Sequence, residues 1–299
     1  MYGAVEAGGT KFICGVGTAP DDLRTVRIPT GTPAVTIDAV ISFLRGAGKL
    51  SAVGIGSFGP ICTDVRLPEW GHITSTPKVA WRNSDLAGRI RAALGVPVGF
   101  DTDVNAAALA EARWGASRDV TDSLYLTVGT GIGGGAIAGG RVVHGMSHPE
   151  MGHVRVPHDR SVDPFEGCCP YHGDCLEGLA SGPAILARWG KAAEELPVGH
   201  PAWALEAHYL ALAVVNFACT LAPARVILGG GVMRQTQLFG LIRAEAERLV
   251  GGYFALPEIV GPVLGDRAGV CGGLVLAETA GMATDSPDEK SEGTKPIFG

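Results

Sequence analysis

One short pattern occurs twice in this chain: an apolar strand, a turn of glycine and threonine, then more apolar strand residues. Its first copy is VEAGGTKFICGVG, residues 5–17, and its second runs from residue 124 through GTGIGGGAIAGG to residue 140. Each copy opens one half of the sequence. A duplicated start of this kind predicts two related lobes with a cleft between them. The length agrees, because 299 residues are long for one hydrophobic core and suit two. Hydrophobic residues make up 46% and charged residues 18%, which supports a large core and excludes global disorder.

The rest of the pattern is alternating α/β. Ile37, Val40, Ile41 and Leu44 fall at helical spacing after Thr32-Pro33. Residues 52–57 and 96–101 read as buried strands, and the second runs straight into the helical AAALAEARWG. A long apolar helix over residues 202–221 ends before Pro223, a strand follows at 225–228, and an amphipathic helix spans 237–250. Residues 1–117 are read as the N-terminal lobe and 118–282 as the C-terminal lobe. The polar tail, 283–299, is expected to pack back or stay disordered.

Charge excludes some functions. The net charge is -6, with 24 Lys+Arg against 30 Asp+Glu and no basic stretch, so nucleic acid is not the expected partner. No basic region precedes a long apolar one at the N-terminus, and the longest apolar run, 209–215, is too short to span a bilayer. These features predict a soluble, cytoplasmic chain with no membrane partner.

Three glycine turns follow apolar strands. Gly8-Gly9-Thr10-Lys11, taken alone, is a hairpin turn, but its N–H groups and the Thr10 hydroxyl can also cradle phosphate oxygens. The run from Gly129 to Gly135, with Thr130, Gly131 and Gly133, holds five glycines in seven residues. That costs backbone entropy, which a phosphate-binding turn would explain. Gly229-Gly230-Gly231 reads either as a tight turn or as the floor of an adenosine site. None has the G-x-x-x-x-G-K-[ST] spacing or sits convincingly as G-x-G-x-x-G at a strand-to-helix junction. Asp101, Thr102, Asp103 and Asn105 lie where a strand gives way to a helix. A single Asp there is ordinarily an N-cap. Repeated polar groups at a strand's C-terminal end also suit a carboxylate that accepts a hydroxyl proton during phosphoryl transfer.

Of the seven cysteines, Cys14, Cys62, Cys219 and Cys271 have apolar surroundings. The others cluster with histidines. Cys169, His172 and Cys175 are spaced C-x2-H-x2-C, and His153 offers a fourth ligand. Four N/S donors leave no open position, so the expected ion is a structural Zn²⁺ rather than a catalytic one. Cys168 competes with Cys169 for the same role.

With EAGGTKF, IGSFGP, DTDVNAAALAE, TVGTGIGGG, HPEMGHV, CPYHGDCLEGLASGPA and ILGGGV in this order, the chain resembles the ROK family of sugar kinases, and within it the zinc-containing bacterial fructokinases. The resemblance runs to about Ala280 and implies an actin-like (ribonuclease H-like) α/β fold. It implies ATP with Mg²⁺ as phosphate donor, a hexose as acceptor at its 6-hydroxyl, a structural Zn²⁺ and a homodimer. The family's catalytic Asp falls on Asp103 and its phosphate loops on Gly8 to Lys11 and on Thr130 and Gly131. Its sugar-contacting residues fall on Glu150, His153 and Glu177, with position 102 beside them. Three departures matter: Glu6 stands where many members have Asp, Thr102 where glucokinases carry a sugar-contacting Asn, and Cys-Cys-Pro-Tyr-His where C-x-C-G is common. Thr102 therefore points toward fructose over glucose. Glucokinase, mannokinase and N-acetylmannosamine kinase are the alternatives, followed by a non-catalytic sugar sensor. A DNA-binding repressor of this family would need a module ahead of Glu6.

Overall fold

The computed structural model describes residues 1–285. In the first of two units, strands β1 (Tyr2–Ala7), β2 (Lys11–Gly17) and β3 (Arg24–Pro29) form an antiparallel meander. Helix α1 (Pro33–Gly46) then returns the chain to β4 (Ala52–Ser57), parallel to β1. A small hairpin of β5 (His72–Ile73) and β6 (Ser84–Asp85), helix α2 (Ala87–Leu94) and strand β7 (Val98–Thr102) complete it. The sheet order is β3-β2-β1-β4-β7.

Helix α3 (Asp103–Trp114) begins the second unit, which repeats that order. Strands β8 (Ser123–Val128), β9 (Ile132–Ala138) and β10 (Arg141–Val142) form the meander. Helices α4 (Leu176–Ala180), α5 (Gly182–Trp189) and α6 (Ala202–Leu221) lead to β11 (Arg225–Gly229), parallel to β8. Helix α7 (Gln237–Val250) and β12 (Glu258–Val260) give the order β10-β9-β8-β11-β12. Helix α8 (Ala268–Asp285) follows. The duplicated start read in the sequence is thus a duplicated sheet.

Each unit has its own core. In the first, the predicted stripe of α1 (Ile37, Val40, Ile41, Leu44) is buried with Phe12, Val53, Ile55 and Trp81. Each such buried side chain contributes about 1.5–3 kcal/mol. In the second, Trp203, Tyr209, Leu210 and Val214 of α6 are buried with Leu124, Leu126, Val226 and Leu228 of the sheet. Helix α6 continues past the 209–215 run and is long and apolar enough to cross a membrane, but half of its apolar stretch is buried inside the protein, as in a core helix.

The units divide at Met1–Asp101 with the chain from Gly273, and Thr102–Gly272. This differs from the boundary at 117–118 read in the sequence. The reason is packing: Ala107 and Ala108 of α3 lie against Tyr125, Ile137 and Ile227 of the second sheet. Helix α8 from Gly273 onward also belongs to the first unit. Gly54 on β4 and Gly99 on β7 admit the backbone of α8, where a Cβ would overlap the carbonyls of Gly273 and Leu276. The tail was expected to begin at 283, but α8 runs on to Asp285, and residues 286–299 lie outside the described residues.

Candidate active site

Asp103 is the first residue of α3. The cap is Thr102: its Oγ1 accepts from the Asn105 N–H at 3.1 Å, and the side chain is buried. The sequence had set a capping role against a chemical one for the aspartates, and the structure gives the cap to Thr102. The Asp103 carboxylate accepts from the adjacent Val104 N–H at 2.9 Å. Burial pushes its pKa up to about 6, the Val104 and Asp103 N–H groups pull it down, Glu150 pushes it up and His148 pulls it down. The residue as a whole is half-buried, while its carboxyl is desolvated. At neutral pH it is ionised yet holds a proton more readily than an ordinary Asp. His148 is 6% exposed, and its Nδ1 lies 3.5 Å from Glu150 Oε1. Glu150 itself is exposed.

In the first unit, Gly8 to Lys11 make the β1–β2 turn. The Gly8 N–H donates to the Lys11 carbonyl at 3.0 Å, and Thr30 Oγ1 donates to the Gly8 carbonyl at 2.8 Å. The Lys78 stem lies over Gly9, where a Cβ would come 2.9 Å from Cε, so this turn carries a cation that sequence spacing did not reveal.

In the second unit the glycine run divides in two. Gly129, Thr130 and Gly131 are the turn, closed by the Gly129 N–H on the Gly131 carbonyl at 2.9 Å. Gly133, Gly134 and Gly135 belong to β9. A Cβ on Gly133 would come 2.9 Å from Val104 Cγ1, one on Gly134 would come 2.6 Å from Met151 Sδ, and one on Gly135 would come 2.5 Å from the Val104 carbonyl. These three admit α3 and the Met151 turn against the strand. Phosphate binding was the expected reason for all five, and for three of them, Gly133 included, packing is sufficient. Gly230 has φ +92°, and a Cβ there would collide with the Val128 backbone, so packing demands glycine at that position too. Gly231 has no such neighbour.

His153, Cys169, His172 and Cys175 come together with one ligand atom each, all within 4.8 Å of one another. His153 Nδ1 lies 3.3 Å from His172 Nδ1, 3.5 Å from Cys175 Sγ and 3.8 Å from Cys169 Sγ, and Cys169 Sγ lies 3.7 Å from His172 Nδ1. Zinc bonds of about 2.0–2.1 Å to N and about 2.3 Å to S give a tetrahedron with edges of about 3.3–3.8 Å. The donor set therefore fits Zn²⁺. Cys169 is buried within it, whereas Cys168 is exposed and outside it. Glycines shape the knuckle: Cys169 and Gly173 exchange N–H···O bonds at 3.1 and 2.9 Å, with Gly173 at φ +63°.

Glu177 is two residues beyond Cys175, in the first turn of α4. Its Oε2 accepts from the Ile132 N–H at 2.9 Å, so here the carboxylate rests on the glycine turn. A buried network missed by the sequence reading anchors the same region. Arg188 grips Asp163 through Nε and Nη2, both at 3.1 Å, and Nη2 also donates to the Leu179 carbonyl at 2.9 Å. Tyr209 donates to Asp163 Oδ2 at 2.7 Å, and His158 reaches the Asp163 carbonyl at 2.9 Å. These partners are far apart in sequence and carry no spacing signal.

A five-stranded sheet built twice in one order defines the actin-like α/β class to which solved sugar kinases belong. The chain belongs to the ROK family, whose model matches residues 2–280. It is 44% identical to the fructokinase of Zymomonas mobilis, over 94% of this chain and 97% of that one. Among solved structures, the ROK hexokinase of Thermus thermophilus is 28% identical with a TM-score of 0.76, covering 95% of this chain and 99% of its own. The ROK glucokinase of Streptomyces griseus, solved with glucose and AMPPNP, is 27% identical with a TM-score of 0.75, covering 93% and 99%.

Proposed function

We propose that this protein transfers the γ-phosphoryl group of ATP to the 6-hydroxyl of D-fructose. The observation that carries the reading is Asp103, an aspartate released from capping by Thr102, with its pKa raised by burial to about 6. Such a carboxylate accepts the hydroxyl proton as the oxygen attacks the γ-phosphorus and the bond to the leaving ADP breaks, and the resulting carboxylic acid then returns its proton to solvent. Backbone N–H groups of the turns at Gly8–Lys11 and Gly129–Gly131, together with Gly230 and Gly231, meet the nucleotide, and Thr10 and Thr130 add hydroxyl donors. Glu150, steadied by His148, and Thr102 contact the sugar. Mg²⁺ bound with ATP neutralises phosphate charge. His153, Cys169, His172 and Cys175 hold a structural Zn²⁺. The chain works as a cytoplasmic homodimer.

Fructose is favoured over glucose on two grounds: Thr102 stands where glucokinases carry Asn, and identity is 44% to a fructokinase against 27% to a glucokinase. ADP release measured with fructose, mannose, glucose and N-acetylmannosamine tests the reading, with metal content taken on the same sample. Fructose should give the highest kcat/KM, with one zinc per chain. Preference for another of the four reassigns the sugar, and no sugar-dependent ADP release refutes the kinase.

A further inference from the structure

Both segments that carry the metal ligands close on one residue at the edge of the nucleotide turn, Ile132, the first of β9. From one side comes the Met151–His153 turn, which ends on the ligand His153. Its Gly152 lies so close to the Ile132 carbonyl that a Cβ would overlap it. From the other side comes α4, whose N-cap is the ligand Cys175 and whose Glu177 accepts the Ile132 N–H. Gly131 is shaped by the same contact, since a Cβ there would come 2.6 Å from Glu177 Oε2. The two segments are themselves joined, the Leu176 N–H donating to the Val154 carbonyl at 3.0 Å. The carbonyl of Gly129, at the other end of the turn, accepts from the Gly182 N–H of α5 at 2.8 Å.

We propose that the metal centre sets the phosphate turn: by tying His153 to Cys175 it clamps Gly152 and Glu177 on Ile132, and so fixes the turn for the nucleotide. Glu177 is then a positioning residue for ATP, and the metal's effect reaches the nucleotide directly as well as the sugar. The physical basis is preorganisation. A turn of Gly129, Thr130 and Gly131 is entropically free, and binding energy is lost if the ligand must order it. Two short segments held by one ion remove that cost beforehand. The proposal rests on the ATP-binding reading given above.

The test is the affinity for a magnesium complex of a non-hydrolysable ATP analogue, measured calorimetrically without sugar. It compares the metal-loaded protein, the chelator-stripped protein with Mg²⁺ restored, and metal-loaded Glu177→Ala and Glu177→Gln. Stripping and Glu177→Ala should each weaken nucleotide binding by about tenfold or more, the loss expected for a charge-assisted hydrogen bond. In chelator-stripped Glu177→Ala, measured alongside, the two losses should not add. Glu177→Gln should stay close to wild type, because its amide oxygen still accepts the Ile132 N–H. If its charge serves the sugar as well, that variant raises the sugar KM alone. Circular dichroism and metal analysis check that each species is folded and loaded as stated. Wild-type nucleotide affinity in folded stripped protein, or in loaded Glu177→Ala, overturns the clamp. Should stripping unfold the chain, the Ala and Gln variants decide alone. Absence of nucleotide binding by the loaded wild type is a different result, and sinks the kinase reading itself.

Discussion

At the residue scale, the chemistry turns on how two neighbouring polar side chains divide two tasks. Thr102 caps α3, and the Asp103 carboxylate is left for the base role proposed for it above. The raised pKa of Asp103 gives a pH dependence whose sign is fixed. The base must be ionised, so kcat/KM should be flat near neutrality and fall tenfold per pH unit below about 6, where Asp103 takes up a proton. A pH–rate profile checks this; a limb at the ordinary Asp value of about 3.9 would mean that the limiting group is not Asp103. His148 lowers the Asp103 pKa and Glu150 raises it, so His148→Gln should move that limb upward. In the sequence, the strand-to-helix junction narrowed the candidate base to Asp101 or Asp103, and the family resemblance selected Asp103. The division of labour was not legible there, because it depends on which oxygen reaches the Asn105 N–H.

At the element scale, short pieces are held by buried polar contacts in place of a large apolar surface. Helix α4 has only five residues, yet the Leu179 carbonyl is tied through Arg188 to Asp163, and Asp163 to Tyr209 of α6. Both charged groups are buried. Asp163→Ala would strand Arg188 and should cost about 3–5 kcal/mol of unfolding free energy. Glu206 of α6 contrasts with it: buried, with no hydrogen-bond partner on either carboxylate oxygen among the described residues. Burial raises its pKa well above the usual value, and Arg188 only partly opposes that. A carboxyl with a raised folded pKa costs stability as pH climbs above its unfolded value of about 4.3. Glu206→Met should therefore gain about 1 kcal/mol or more at neutral pH and lose that pH slope. Denaturant titrations of both variants at two pH values check the opposite signs; a destabilised Glu206→Met would show that the acid has a structural partner. Three of the four candidate metal ligands, Cys169, His172 and Cys175, were visible from spacing, because ligands on one tight knuckle recur at short intervals; His153 lies outside that knuckle, and only the structure brings it to the other three. The Ile132 clamp left no trace, since its partners are a backbone N–H and C=O.

At the scale of the whole molecule, one sheet order is used twice, and this duplication was the most legible feature of the sequence. The strand–turn–strand echo became β1–β2 and β8–β9, each the centre of a five-stranded sheet. The assignment of α3 and α8 to the units was not legible. Periodicity marks a helix but not the sheet it covers, and Gly54 and Gly99 reveal their purpose only once α8 lies on them. The glycines likewise read as a nucleotide signal in bulk, although Gly133 to Gly135 serve packing against α3 and Met151. The central claim is that Asp103 drives phosphoryl transfer from ATP to the 6-hydroxyl of fructose. The most direct test is phosphorus and carbon NMR of the product from fructose and ATP, run in parallel for wild type and Asp103→Asn. Wild type should give fructose 6-phosphate, and the variant should make the same product with kcat lower by about 10²–10⁴ while its fructose affinity changes little. Phosphate at another carbon, or near-normal turnover by Asp103→Asn, would contradict the account.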